Sequence, residues 1–203
     1  DHWTDLTDLS PSARLKALKD ARYADRDAAA NRGTEVHGIA ERLSRGEEVT
    51  VPEALRGHVE ACVAFLDDWD VQPVLLEAVV VSYTHRYAGT LDLIADLADG
   101  RRWLLDYKTA RSGVFPDNAL QLAAYRYADK YRSDNTTLER PMAHVDGCAV
   151  VHIRHDGYSL VPVDTGPDVF RTFLYAQQMW AWANDQSRTV VGDALTAPQR
   201  SHA

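Results

Sequence analysis

Gly89-Thr90-Leu91-Asp92-Leu93-Ile94-Ala95-Asp96-Leu97-Ala98-Asp99-Gly100-Arg101-Arg102-Trp103-Leu104-Leu105-Asp106-Tyr107-Lys108-Thr109 reads as two strands around a tight turn. The turn allows two registers. A three-residue Ala98-Asp99-Gly100 loop, closed by Gly100 in the left-handed region with a bulge, pairs Leu97 with Arg101. It sets Ile94 opposite Leu104 and Asp92 opposite Asp106. A two-residue Asp99-Gly100 turn pairs Asp92 with Tyr107 and sends the two aspartates to opposite faces. Like charges directly opposed destabilise a sheet. The first register therefore makes sense only around a cation, and it is the one expected.

Asp106 and Lys108 alternate with apolar residues, so on a strand both point to one face. Holding an acid and a lysine on an apolar strand costs desolvation unless something uses them. The candidate use is a divalent metal, with Asp92 as the third member. The plainer reading is a surface ion pair on an edge strand, since average composition yields an Asp-x-Lys roughly once in a few hundred residues. The apolar strand, the hairpin and Asp92 together argue for the site.

With 203 residues, 45% hydrophobic and 26% charged, the chain reads as one globular domain spanning 1–203. No apolar run is long enough to span a bilayer and no signal-peptide pattern opens the sequence, so no membrane partner is expected. The first residue is Asp1, and a further segment is expected before it. Cys62 and Cys148 suggest no disulfide framework, exclude a four-thiolate iron–sulfur cluster within the chain, and fit a reducing cytoplasm. The net charge of -8 argues against a broad nucleic-acid-binding face and leaves room only for a narrow basic lip.

Ser10-Pro11 starts a helix that leads through Ala30, a helical lead over 1–32. Gly33-Thr34 then restarts a helix to about Arg45, ended by Gly46. A third helix is expected near Glu53 to Trp69, with Leu55, Val59, Cys62, Val63 and Leu66 on its inner side. Val74 to Val81 reads as a buried strand. Pro116-Asp117-Asn118 opens a helix to about Tyr131, and Gly147 to Ile153 with Tyr158 to Val163 form a second hairpin. A last helix spans Pro167 to Asp185, with Phe170, Phe173, Leu174, Gln177, Trp180 and Ala181 facing inward. Trp103, Tyr127, Trp180 and Trp182 are expected at the core or its edge, and 187–203 as a loose tail. The fold class is α/β (α+β): a central mixed β-sheet flanked by helices.

His37 lies early in the helix restarting at Thr34, with Glu41 one turn on. A lone helical histidine is more often a surface residue, but a capped start would fix where this imidazole points. Glu77, in the buried-looking strand, needs either an arginine or a metal shell. Gln121 and Tyr125, one turn apart, are either a polar stripe or a pair reaching over the site.

His37 within Gly-Thr-Glu-Val-His, then Glu77, Gly89-Thr90-Leu91-Asp92, Asp106-Tyr107-Lys108 and Gln121-x-x-x-Tyr125 resemble, in that order, the RecB-like branch of the PD-(D/E)XK nucleases. That branch includes phage-type exonucleases, and the likeness covers about Thr34 to Tyr127. It implies a restriction-endonuclease-like core and metal-dependent DNA cleavage. It also implies His37, Asp92, Asp106 and the Tyr107 carbonyl as metal ligands, Lys108 at the attacking water, Glu77 in support, and Gln121 and Tyr125 near the DNA strand. Many members carry Glu where this chain has Asp106, and the iron–sulfur cysteines of one subgroup are absent.

The expected function is a metal-dependent deoxyribonuclease, exonucleolytic, from a phage-type recombination or replication module in the host cytoplasm. The alternative is a nuclease-fold DNA-binding or scaffold module that does not cut. Carboxylates suit Mg²⁺ or Mn²⁺, and an imidazole shifts preference towards Mn²⁺. The expected partners are DNA and, in such a module, a single-strand annealing or recombination protein. Arg86, Arg111, Arg126 and Lys130 are the candidate basic lip.

Overall fold

The computed structural model describes residues 6–7, 9–133 and 136–196, without the side chains of 21–22 and 24–29. The ends of the expected lead and tail, 1–5 and 197–203, lie outside the described residues. Helix α1 runs Pro11–Ser44, its first turn closed by Ser10 Oγ accepting from the Ala13 amide at 3.3 Å. A 3₁₀ turn at Glu53–Leu55 leads into α2, Arg56–Asp68. Strands β1 (Gln72–Ser82), β2 (Tyr87–Asp96) and β3 (Arg102–Lys108) follow, then helix α3 (Pro116–Arg126). The short strands β4 (Lys130–Arg132) and β5 (Arg140–Pro141) precede β6 (Gly147–Arg154), β7 (Gly157–Val163) and helix α4 (Pro167–Asn184).

All the strands join one sheet in the order β5-β4-β1-β2-β3-β6-β7. It is mixed, because β3 and β6 run parallel while the other neighbours are antiparallel. The chain is thus of the mixed α/β class, a central sheet flanked by helices. Val36, Ile39 and Ala40 of α1 and Val59, Cys62 and Phe65 of α2 pack on one face, against Leu93, Leu105, Tyr107 and Val151. Leu122 of α3 packs on the other, with Val80, Leu91, Ile94, Leu104 and Val150. Burying each large apolar side chain contributes about 1.5–3 kcal/mol, enough in sum to fix both layers on the sheet. Cys62 and Cys148 are buried free thiols, and no helix among the described residues is long and apolar enough to cross a membrane.

The three-residue hairpin register holds. The Leu97 amide donates to the Arg101 carbonyl at 3.0 Å, Gly100 sits at φ 76°, and Ile94 pairs with Leu104.

Five details differ from the sequence reading. No break occurs at Gly33-Thr34: α1 passes straight through, and Thr34 Oγ1 donates back to the Ala30 carbonyl at 3.2 Å instead of capping a new helix. Gly33 serves a close approach, since a Cβ there would lie 3.3 Å from Thr109 Oγ1. Helix α3 stops at Arg126, because residues 130–132 leave it to pair with Val79–Val81 of β1. Strand β1 is buried only towards its C-terminal end. On α2, Phe65 is buried where Val63 is exposed. On α4, Trp180 and Trp182 are solvent-facing, 65% and 43% exposed, while Phe170 stacks on Tyr127 at 4.8 Å.

Candidate metal centre

The site forms where β2 and β3 part. Their pairing ends at Leu93 opposite Leu105, yet β2 continues to pair with β1 and β3 with β6. Beyond that point Asp92 and Asp106 stand across the gap. The Asp92 carboxylate fills it, its Oδ2 accepting from the Tyr107 amide at 2.7 Å. On the other side, Leu76 opposite Leu93 and Ala78 opposite Leu91 put Glu77 across from Asp92. Three carboxylates thus come from three adjacent strands, with Glu77 and Asp92 on paired β1 and β2 and Asp106 across the gap on β3.

Glu77 has φ 45°, a left-handed backbone that a residue with a Cβ adopts at a cost of roughly 1–2 kcal/mol. Such strain gathers where a side chain must be aimed. Glu77, Asp92 and His37 each bring one ligand atom to within 4.8 Å of the others.

His37 reaches the site from α1. Its Nε2 lies 2.6 Å from the Tyr107 carbonyl oxygen, which can only accept, so Nε2 carries the proton. Nδ1, 3.5 Å from Asp92 Oδ2, then turns a lone pair towards a carboxylate. A lone pair facing a carboxylate is favourable only with a cation or proton between them. The Tyr107 ring meets His37 edge-on at 6.0 Å and so holds it from beneath.

Asp106 is 1% exposed. Its Oδ1 accepts from Gln121 Nε2 at 3.1 Å, and the same amide donates to the Tyr125 hydroxyl at 3.1 Å. Lys108 Nζ approaches Oδ2 at 2.6 Å outside hydrogen-bonding geometry, leaving that buried oxygen without a hydrogen bond among the described residues. Burial first, then the charge of Asp92, pushes the Asp106 carboxyl up to about 6, against the pull of Lys108. Burial likewise raises Asp92, opposed by His37, the Tyr107 amide and Lys108. Two buried acids that resist ionising together fit a divalent cation.

The structure therefore brings His37, Glu77 and Asp92 together as potential ligands, while Asp106, expected as a ligand, lies outside that group and faces Lys108. Glu77 stands among the potential ligands instead of behind them. The Tyr107 carbonyl is engaged by His37, and Gln121 and Tyr125 close on Asp106. A Cβ on Gly89 would lie 2.6 Å from the Tyr125 ring. Gly89→Ala is accordingly expected to destabilise the fold by about 1–3 kcal/mol, read by urea denaturation, by pushing Tyr125 and Gln121 off Asp106. Unchanged stability would show that this approach is not tight.

The four basic candidates do not form one lip. Arg86 sits in the turn before β2, six residues from Asp92 and so roughly 20 Å along the strand. Arg126 braces Thr165 Oγ1 at 3.0 Å and the Val145 carbonyl at 3.4 Å. Lys130 pairs with Glu139 at 3.3 Å. Arg111 alone lies on the loop leaving Lys108, where it lines a cavity with Arg32, His58, Arg154 and His155. Sequence reasoning missed those four because they come from three distant segments with no shared spacing. Searches of the sequence against protein-family models and curated proteins return no match.

Proposed function

We propose that this chain is a divalent-metal-dependent deoxyribonuclease of the RecB-like PD-(D/E)XK type, acting at DNA ends in the cytoplasm. The observation that carries the reading is the meeting of an imidazole and two carboxylates, with the Asp106–Lys108 pair beside them, at the gap between β2 and β3. A purely structural ion pair needs neither the His37 lone pair aimed at Asp92 nor a third acid on a strained backbone.

His37 Nδ1, Glu77, Asp92 and Asp106 are the residues to hold the ion, and the mixed nitrogen and oxygen donors favour Mn²⁺ over Mg²⁺. When bound, it supplies Lewis-acid polarisation of a phosphate oxygen and a more acidic water. Lys108 stands at the rim of that set, part exposed, with its ammonium against Asp106. There it orients the attacking water and places a positive charge beside the oxygens that gain charge as the phosphodiester opens. Gln121 and Tyr125 hold Asp106 in one rotamer, and Tyr107 does the same for His37 through its carbonyl.

Two measurements test this. End-labelled linear DNA is expected to be degraded with Mn²⁺, closed circles spared, and EDTA to stop the reaction. Purified protein with Mn²⁺ that binds DNA but cuts no form of it would instead be a binding module. Thermal melts in Mn²⁺ are expected to shift upward in wild type and much less in Asp92→Asn, because binding to the native state stabilises it by mass action. Equal shifts in both proteins would place the ion elsewhere.

A further inference from the structure

Beside the carboxylates lies a cavity of about 480 Å³ with the opposite charge. Arg32 of α1, His58 at the start of α2, Thr109 and Arg111 after β3, and Arg154 and His155 at the end of β6 line it. Asp156, on its exposed rim, is engaged by Arg154 Nε at 3.4 Å. The chain has 30 acidic against 22 basic residues, so three guanidiniums and two imidazoles on one wall run against its composition. Arg32 and Arg111 make no hydrogen bond or ion pair among the described residues. Like charges gathered without partners repel, and an anion between them removes that cost.

The walls are built to meet. A Cβ on Gly57 would collide with the His155 carbonyl, so this glycine lets the start of α2 press on the turn after β6. No side chain caps α2; the 3₁₀ turn Glu53–Leu55 runs straight into it, and Glu53 pairs with Arg56 at its start. His58 Nδ1 is buried without a hydrogen bond among the described residues. Burial, with the charges of Arg32, His155 and Arg111, lowers the His58 pKa, as crowding with cations requires. Arg154 Nη1 is held by Ser159 Oγ at 3.1 Å and by His152 Nδ1 at 3.3 Å, which fixes its guanidinium fork.

We propose that this cavity is a phosphomonoester site, its dianion bound by Arg32, Arg111 and Arg154 with His58. Planar guanidinium forks suit phosphate oxygens two at a time. The place of the cavity then gives its use, and this step rests on the nuclease reading. Thr109 follows Lys108, and Arg32 precedes His37 by five residues on α1, a rise of roughly 7.5 Å. The pocket would hold either the terminal phosphate of the strand being cut or the phosphate of a released mononucleotide.

Titration calorimetry with inorganic phosphate in EDTA, without DNA and at constant ionic strength, tests the pocket apart from any cleavage. One site is expected in wild type, weakened tenfold or more in Arg32→Ala and in Arg111→Ala, and weakened less in Arg111→Lys. No binding, or wild-type affinity in both alanine variants, overturns the proposal whether or not the protein cuts DNA. Competition against phosphate then separates the sources. A short strand with a 5′- or 3′-phosphate competing better than a mononucleotide assigns the pocket to a strand end. A mononucleotide competing as well as the strand assigns it to released product. A strand with hydroxyl ends competing as well as the phosphorylated ones overturns the phosphomonoester assignment.

Discussion

Lys108→Ala is expected to cut DNA a hundredfold or more slowly than wild type while its affinities for Mn²⁺ and DNA stay within about twofold. The ammonium sits against Asp106 Oδ2 without belonging to the ligand set, so removing it leaves His37, Glu77 and Asp92 where they are. The loss falls on the transition state, where charge develops on phosphate oxygens. Asp92→Asn is expected to lose more. It removes the charge facing His37 Nδ1 and weakens the bond to the Tyr107 amide, so metal binding and cleavage fall together. The split is read by single-turnover cleavage of end-labelled linear DNA beside Mn²⁺ calorimetry. A Lys108→Ala protein that cuts as fast as wild type would put the chemistry elsewhere on the chain.

The hairpin was legible because turn chemistry and the period of two are local. Gly100 in a three-residue loop is enough to set Ile94 opposite Leu104, but the ladder ends at Leu93 and Leu105, one pair short of the expected Asp92 and Asp106, and Asp92 takes the Tyr107 amide instead. Tertiary contacts decided what the sequence reading missed. Gly33 looks like a helix break, but its missing Cβ makes room for Thr109 of another element. Glu77 read as a buried acid in need of a partner; its φ of 45°, which aims it, leaves no trace in residue type. Three residues of β4 are too few to show a period, and they form a strand because β1 offers an open edge. Trp180 and Trp182 are apolar enough to look internal, yet they are 65% and 43% exposed because α4 packs through Phe170 and Phe173 instead. Beside the acids, the cationic cavity is assembled from four separate segments, so no spacing rule could reveal it.

Asp106→Asn is expected to make the metal-free protein more stable than wild type near pH 7.5, by about 1–3 kcal/mol in urea denaturation. In the folded chain the carboxyl is raised to about 6 from an ordinary 3.8, chiefly by burial and then by Asp92. A raised acid binds its proton more tightly in the native state than in the unfolded one. Between about pH 4 and 6 the native state therefore carries more protons, and stability falls as pH rises through that window. Above it the destabilisation is complete: two units correspond to about 3 kcal/mol, with the opposing pull of Lys108 already included. Asp92, raised in the same direction, adds to the slope. An asparagine keeps the carbonyl that accepts from Gln121 but carries no charge to desolvate, so its stability should be flatter over the same range. Mn²⁺ reverses the sign in wild type, because the ion binds the ionised acids and loses affinity as they take up protons below about pH 6. The two curves, with EDTA and with Mn²⁺, should therefore cross. Parallel curves for wild type and Asp106→Asn in EDTA would mean that the buried acid is already compensated by Lys108, and that the strain at this site is not held for a metal.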